Sequence, residues 1–325
     1  MFPLESVPNV SEGRSAAVVR TIGQAYVAAG AALLDTHFDA DHHRAVHTLV
    51  AVDGEDATLV DALVTGVVAA VAAIDLGRHE GVHPRVGAAD VVPLVALRPE
   101  DLPRACAAAR AVAERVGEEL GVPVFLYGEV GEGQRLAFFR RGGPQALQRR
   151  VDAGEIAPAF GPRLLHPTAG ATLVGVRAPL VAFNVELEGP TATDVARAIA
   201  GRIRASGGGL PGLQAIGLEL GSSGRAQVSM NLIDLSVCAL HEVVARVRAE
   251  AASSGVRVTR GELVGLLPAL EVARAAGEHA TLGADGLPTV EALAAAAAVF
   301  LLPSLRPDRV IEWHLARLGL VDSTA

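Results

Sequence analysis

A chain of 325 residues with a formal net charge of −8 can bury a large core or two, and its acidity argues against a nucleic-acid or anionic-membrane surface. It contains no lysine; its 28 basic residues are all arginine, which excludes Schiff-base and P-loop lysine chemistry. Cys106 and Cys238 fall in helical patterns outside any metal or disulfide spacing, the N-terminus has no signal-peptide pattern, and no uninterrupted apolar run reaches the roughly 18 residues of a membrane span, so a reduced cytoplasm is the expected compartment.

Residues 2–8 read as a first strand, and the polar turn at 9–13 offers Asn9 or Ser11 as cap for a helix reaching residue 29, with Val18, Ile22, Ala25 and Val27 on its apolar side. A buried strand at 31–35 follows, then the polar turn THFDADHHR at 36–44, a strand at 45–52 and an alanine- and valine-rich helix at 57–74. A strand at 90–97, a helix at 100–120 and a strand at 122–128 complete the first half. Residues 129–170, rich in glycine, arginine and proline, read as the connection between halves, with an amphipathic piece near 144–151. The second series is strand 179–188, helix 192–205, strands 213–220 and 226–233, helix 237–252 and strand 256–260. Residues 261–325 read as helical, EALAAAAAVF being a strong helix former. Both halves repeat βαββαβ, the first with an added helix and strand. The expected fold is therefore α+β: two ferredoxin-like units in tandem, 1–178 and 179–325, the second ending in a helical tail.

Six of the ten histidines lie between His37 and His83, a density of groups titrating near neutrality that packing alone does not explain. The stretch RHEGVHPRVGAADVVP at 78–93 contains His79-Glu80-Gly81-Val82-His83, which fits the H-E-x-x-H zinc signature. That chemistry needs both imidazoles on one face of an intact helix. Gly77, Gly81 and Pro84 all disfavour one here. The turn at 36–44 is the second dense site: His37, Asp39, Asp41, His42 and His43 suit a transition metal, a solvated cap, or recognition of a ligand beside His79 and His83.

The same stretch resembles the R-H-x-G-x-H-P-R-x-G-A-x-D-V-x-P signature of glutamate formimidoyltransferases. Further matches span nearly the whole chain. VPNVSEG at 7–13 resembles the family's V-P-N-F-S-E-G. Asp39-Ala40-Asp41-His42-His43-Arg44 resembles D-x-D-H-N-R, with His43 in place of asparagine. VPVFLYGE at 122–129 resembles P-V-Y-L-Y-G-E. Gln214-Ala215-Ile216-Gly217, AQVSMNL at 226–232 and ELVGLLP at 262–268 resemble the later blocks. The resemblance implies transfer of a formimino group from N-formimidoyl-glutamate to N5 of tetrahydrofolate as co-substrate, with no metal, in histidine breakdown. It singles out His83 as the proton carrier, with Asp39 and Asp41 stabilising its charged form and the cationic amidine. His42, His43 and His79 would belong to the same ligand site, and Arg44, Arg85 and Arg177 would grip carboxylates. Asn9 would also face ligand. Gly161, Pro162, Arg163, His166, Thr168, Gly170, Ala171 and Thr172 would form the folate segment, completed by Asn184, Gln227 and Asn231. Residues 163–169 lack the tryptophan common there, and with it one stacking face for a pterin. The implied partners are small molecules and a second copy in a homodimer, with room for a separate cyclodeaminase. A zinc hydrolase, a non-catalytic folate-binding relative and a formyl-transferring variant stay open from the sequence.

Overall fold

In the computed structural model, which describes residues 2–221, 224–277, 282–283 and 286–321, the chain divides into two compact units, residues 1–178 and 179–325. Each is a mixed α+β assembly built on its own sheet. The N-terminal segment, which reads as one strand, is two short ones, β1 (Glu5–Ser6) and β2 (Asn9–Val10). Pro8 between them has no N–H to give a ladder. Both lie antiparallel between β4 (Arg44–Ala51) and β5 (Ala89–Val95), and β3 (Ala31–Asp39) pairs with β4 at the outer edge. Thr36–Asp39 thus extends a strand instead of opening the turn. Pairing of Thr36 with His47, His37 with Val46 and Phe38 with Ala45 outweighs the polar composition.

Helices α1 (Ala16–Ala28), α2 (Asp56–Ala73) and α3 (Leu102–Leu120) cover one face of this sheet. Ser15 Oγ caps α1 by accepting from the Val18 N–H at 3.3 Å. Ile22, Leu59, Leu63, Val67, Val112 and Val116 pack against Leu49, Val92, Leu94 and Val174. By length and composition α2 could cross a membrane, yet Leu59, Leu63, Val67 and Ala70 are buried in this core.

Beyond β5 the sheet continues with two parallel strands in the order β5, β7 (Thr172–Arg177), β6 (Val124–Gly128). Strand β7 is not foreseen from the sequence, because TLVGVR is short, broken by Gly175 and preceded by glycine and proline. The stretch that reads as a connection also contains α4 (Leu136–Arg140) and α5 (Gly143–Asp152). They pack Phe139, Leu147 and Val151 against Phe125, Tyr127 and Leu173. By strand alternation this is the face opposite α1–α3.

The second unit runs β8 (Val181–Glu188), α6 (Ala192–Ile203), β9 (Leu213–Leu220), β10 (Arg225–Leu232), α7 (Leu240–Ser253) and β11 (Arg257–Val264). Its sheet order is β11-β8-β10-β9, antiparallel throughout. Phe183, Val185, Leu187, Val228 and Met230 pack on Ile199, Val243 and Val247. Alternation places Asn184, Glu186, Gln227 and Asn231 on the other face. The tail adds α8 (Ala269–Ala276), α9 (Val290–Val299) and α10 (Ile311–Arg317), with Val272, Leu293 and Phe300 joining the same core.

Candidate active site

The site of the first unit grows around one buried acid. Asp90, at the start of β5, is fully buried. Its Oδ1 accepts from the Val86 and Gly87 N–H groups at 2.7 and 3.2 Å, and its Oδ2 from Arg44 Nη1 at 3.0 Å and from Arg140 Nη2 of α4. Burial pushes the carboxyl pKa up, but Arg140, Arg44 and the Val86 N–H outweigh it and hold Asp90 below the usual carboxylate range. Arg44 is anchored on its other side by Asn9, whose Oδ1 accepts from Nε at 2.9 Å and Nη2 at 2.6 Å. Burial and Arg140 lower its pKa to about 10, so it stays charged at neutral pH. Behind these groups stands Tyr127 of β6. Burial pushes its hydroxyl pKa up to about 12. Gly175 of β7 gives its ring room, since a Cβ there would lie 2.4 Å from it.

His83 joins the cluster through Nδ1, which lies 3.0 Å from Arg44 Nη1 and 2.8 Å from the Pro84 carbonyl oxygen. Among the described residues none bonds its Nε2. The His42 ring stacks alongside at 6.0 Å. Burial, then Arg44, Arg140 and His42, hold the His83 pKa well below that of a free imidazole. The ring is therefore neutral at pH 7 and fit to take a proton. The charged groups that lower its pKa are the guanidiniums of Arg44 and Arg140. In the adjoining turn Asp39 Oδ1 accepts from the His42 N–H at 2.7 Å, and the Asp41 carbonyl accepts from Val82 N–H at 3.2 Å.

The loop carrying His83 is irregular from residue 79 to 86, after a short 3-10 turn at Leu76–Arg78. His79 and His83 therefore do not share a helix face as zincin chemistry requires. Among the described residues no group of three or more His, Cys, Asp or Glu is arranged to hold a metal ion. Arg85 clamps the loop by donating to the carbonyls of His79, Gly81 and His83 at 2.8, 3.0 and 3.1 Å. Three of its five N–H donors are thereby used within its own loop. Arg14 ties the two loops together, donating to the Ala40 carbonyl at 3.3 Å and the Glu80 carbonyl at 2.5 Å.

His79 and His43 form a second pair. Their rings stack at 4.0 Å, His79 Nε2 donates to the His43 carbonyl at 2.8 Å, and His43 Nε2 lies 3.2 Å from Glu12 Oε1. Burial lowers the His79 pKa to about 4, so His79 supports the turn as a neutral ring. A Cβ on Gly81 would meet the His42 carbonyl oxygen at 2.6 Å and the His43 Cβ at 2.7 Å. Gly81→Ala is expected to displace the loop and cut turnover about 10-fold or more while leaving the unfolding midpoint nearly unchanged; parallel kinetics and urea melts check this.

The expected folate segment flanks the same loop. Gly170 (φ +68°) lies against Val86, whose carbonyl accepts from Ala171 N–H at 3.0 Å, and Thr168 accepts from Leu76 N–H at 2.8 Å. His166 Nδ1 accepts from the Ala169 N–H at 3.0 Å and closes the turn. Arg163 donates to the Val151 carbonyl at 2.9 Å. Gly161 (φ +81°) packs against Gly117 of α3, next to Pro162, and Thr172 is buried at the start of β7. Arg177 closes β7 and donates to the Ala178 carbonyl at 3.0 Å. In the second unit, Asn184 and Gln227 both donate to Glu262 Oε2, at 2.9 and 3.1 Å, and Asn231 is exposed further along β10. Asn9, Arg44, His42 and His83 thus converge in the first unit, and Asn184 and Gln227 meet at Glu262 on the second sheet.

The sequence matches known proteins over most of its length. Residues 3–177 match the model of the formiminotransferase domain, N-terminal subdomain, and residues 182–283 that of the formiminotransferase domain. The chain belongs to the formiminotransferase family. It is similar to the glutamate formimidoyltransferase of Streptococcus pyogenes serotype M1, with 40% identity over 82% of this chain and 89% of the relative. It is also similar to that of Thermoplasma acidophilum, at 36% identity with the same coverage. A formimidoyltransferase-cyclodeaminase from Sus scrofa is 38% identical over 82% of this chain, which spans 50% of that longer protein. The protein is thus a transferase of the formiminotransferase type. Three parts of this formiminotransferase site escape sequence reasoning. Asp90 lies inside the signature, but nothing local marks it as a buried hub. Arg140 and Arg14 reach the site only through long-range folding.

Proposed function

We propose that the protein moves the formimino group of N-formimidoyl-L-glutamate to N5 of tetrahydrofolate, giving 5-formimidoyltetrahydrofolate and glutamate, a step of histidine degradation in the cytoplasm. The observation that carries this reading is a neutral imidazole, His83, with Nε2 unclaimed among the described residues, beside buried cations in the family's signature loop. The donor carbon is an amidine, already cationic, so no metal is needed to polarise it. His83 takes the proton that the attacking nitrogen loses as the new N–C bond forms. It returns that proton to the glutamate nitrogen as the old C–N bond breaks. Because the imidazolium is disfavoured among Arg44 and Arg140, the proton is readily passed on. Tetrahydrofolate enters as co-substrate beside residues 161–172, where the Ala171 N–H donates to the Val86 carbonyl at the end of the His83 loop and the Ala169 carbonyl accepts from the Ala88 N–H.

We infer too that the two units are a tandem of ferredoxin-like folds and that the protein acts as a homodimer on small molecules. The strand order β11-β8-β10-β9 supports the first point in the second unit, and β5, β1 with β2, β4, β3 supports it in the first. The deciding experiment offers formimidoyl-glutamate and formyl-glutamate to the purified protein, each with and without tetrahydrofolate. Turnover only with formimidoyl-glutamate plus tetrahydrofolate is expected. Turnover of formyl-glutamate alone assigns the formyl variant, and turnover without folate rejects the transfer.

A further inference from the structure

Resting on the transfer reaction above, we infer that Arg44 is a positioning residue that sets the tautomer and charge of His83, in place of a clamp for a substrate carboxylate. His83 Nδ1 lies 2.8 Å from the Pro84 carbonyl oxygen and 3.0 Å from Arg44 Nη1. The carbonyl can only accept and the guanidinium can only donate, so one ring nitrogen cannot satisfy both. With its proton on Nδ1 the ring donates to Pro84 and Nε2 is a base. With the proton on Nε2, Nδ1 accepts from Arg44 and Nε2 becomes a donor. The doubly protonated ring turns an N–H toward Pro84 while a second cation presses on the same edge.

Arg44 cannot swing away to relieve this conflict. Its Nε and Nη2 are held by Asn9 Oδ1 and its Nη1 by the buried Asp90. Those three contacts and the one at His83 leave a single N–H, so no parallel pair remains for bidentate capture of a carboxylate. The other charged and titratable groups around the ring come from every neighbouring element: Asp90 from β5, Arg140 from α4, His42 from the β3–β4 turn, and Arg85 from the loop itself, with Tyr127 of β6 behind Arg140 and Asp90. Asp90 is already shared by two guanidiniums, and Asp39 of the same turn as His42 accepts from the His42 N–H. In the reaction the ring therefore holds a proton only between the nitrogen that attacks and the nitrogen that leaves.

The test is an NMR titration of protein carrying 13C-labelled histidine rings, with the His83 signal assigned by its loss in His83→Asn. The parent is compared with Arg44→Met and with Arg44→Met/Asp90→Asn; the double variant leaves no unpaired buried carboxylate and keeps the test open if the single variant fails to fold. In either variant the proton affinity of His83 is expected to rise at least about tenfold, the balance between its two neutral tautomers to change, and the acid limb of kcat/KM to rise with it. KM for the donor should change by no more than about 3-fold. An unmoved His83 titration overturns the proposal, as does a KM raised about 100-fold with the titration unchanged, which is the mark of a carboxylate clamp. The titration needs no turnover, so it remains readable if the proposed substrates prove wrong.

Discussion

His83→Ala is expected to lower turnover about 10²- to 10⁴-fold, the usual scale for a lost general acid–base. KM should move much less, because the proton transfer belongs to the transition state. Among the described residues the side chain is bonded only through Nδ1, so its loss should leave the melting curve close to that of the parent. The parent's activity should also persist well below the pH at which a free histidine becomes charged, because the functional form is the neutral ring and its pKa is lowered. Steady-state kinetics across pH with formimidoyl-glutamate and tetrahydrofolate measure both effects. Near-parent turnover in His83→Ala would move the proton carrier to His79 or to the His42–His43 pair.

Asp90→Asn should act on stability more than any other single change in the site. It leaves Arg44 and Arg140, both nearly buried, facing each other without their shared counter-charge. A loss of about 3–5 kcal/mol is expected, the scale for removing one partner of a buried ion pair. The sign with pH follows from the lowered carboxyl pKa. The stabilisation is fully present above the unfolded value of about 4 and disappears as pH falls through the lower folded value. Urea unfolding of parent and variant should therefore differ most near pH 7 and converge in strong acid. A gap that stays constant down to acid pH contradicts the assignment.

The sequence foretells most of the second unit, where apolar alternation and helix periodicity agree with what the chain does: the strand expected at 213–220 is β9 itself. It foretells less where long-range contacts override local composition. Thr36, His37 and Asp39 are polar enough to read as a turn, yet they lie in β3 because β4 pairs with them. TLVGVR carries too weak a pattern to stand as a strand, and only parallel neighbours on both sides make it one. In the site, His83 is legible from a signature. The assignment of its cations is not, since Arg140 lies 57 positions away and nothing around it points to Asp90. Arg85 is legible from its place in a motif, but its hold on the carbonyls of its own loop is not.

The position of β7 has a bearing on biosynthesis. It is the last strand of the first unit to leave the ribosome, yet it lies between two strands made earlier, β5 and β6. Until residue 177 emerges, β5 and β6 each present an open backbone edge, lined with residues as apolar as Val91, Leu94, Val124 and Phe125. A ribosome stalled before residue 172 would hold a nascent chain with two unmatched edges available to chaperones or to neighbouring nascent chains. Release of a few further residues closes both at once, so translation speed between residues 128 and 177 governs how long this protein is open to aggregation.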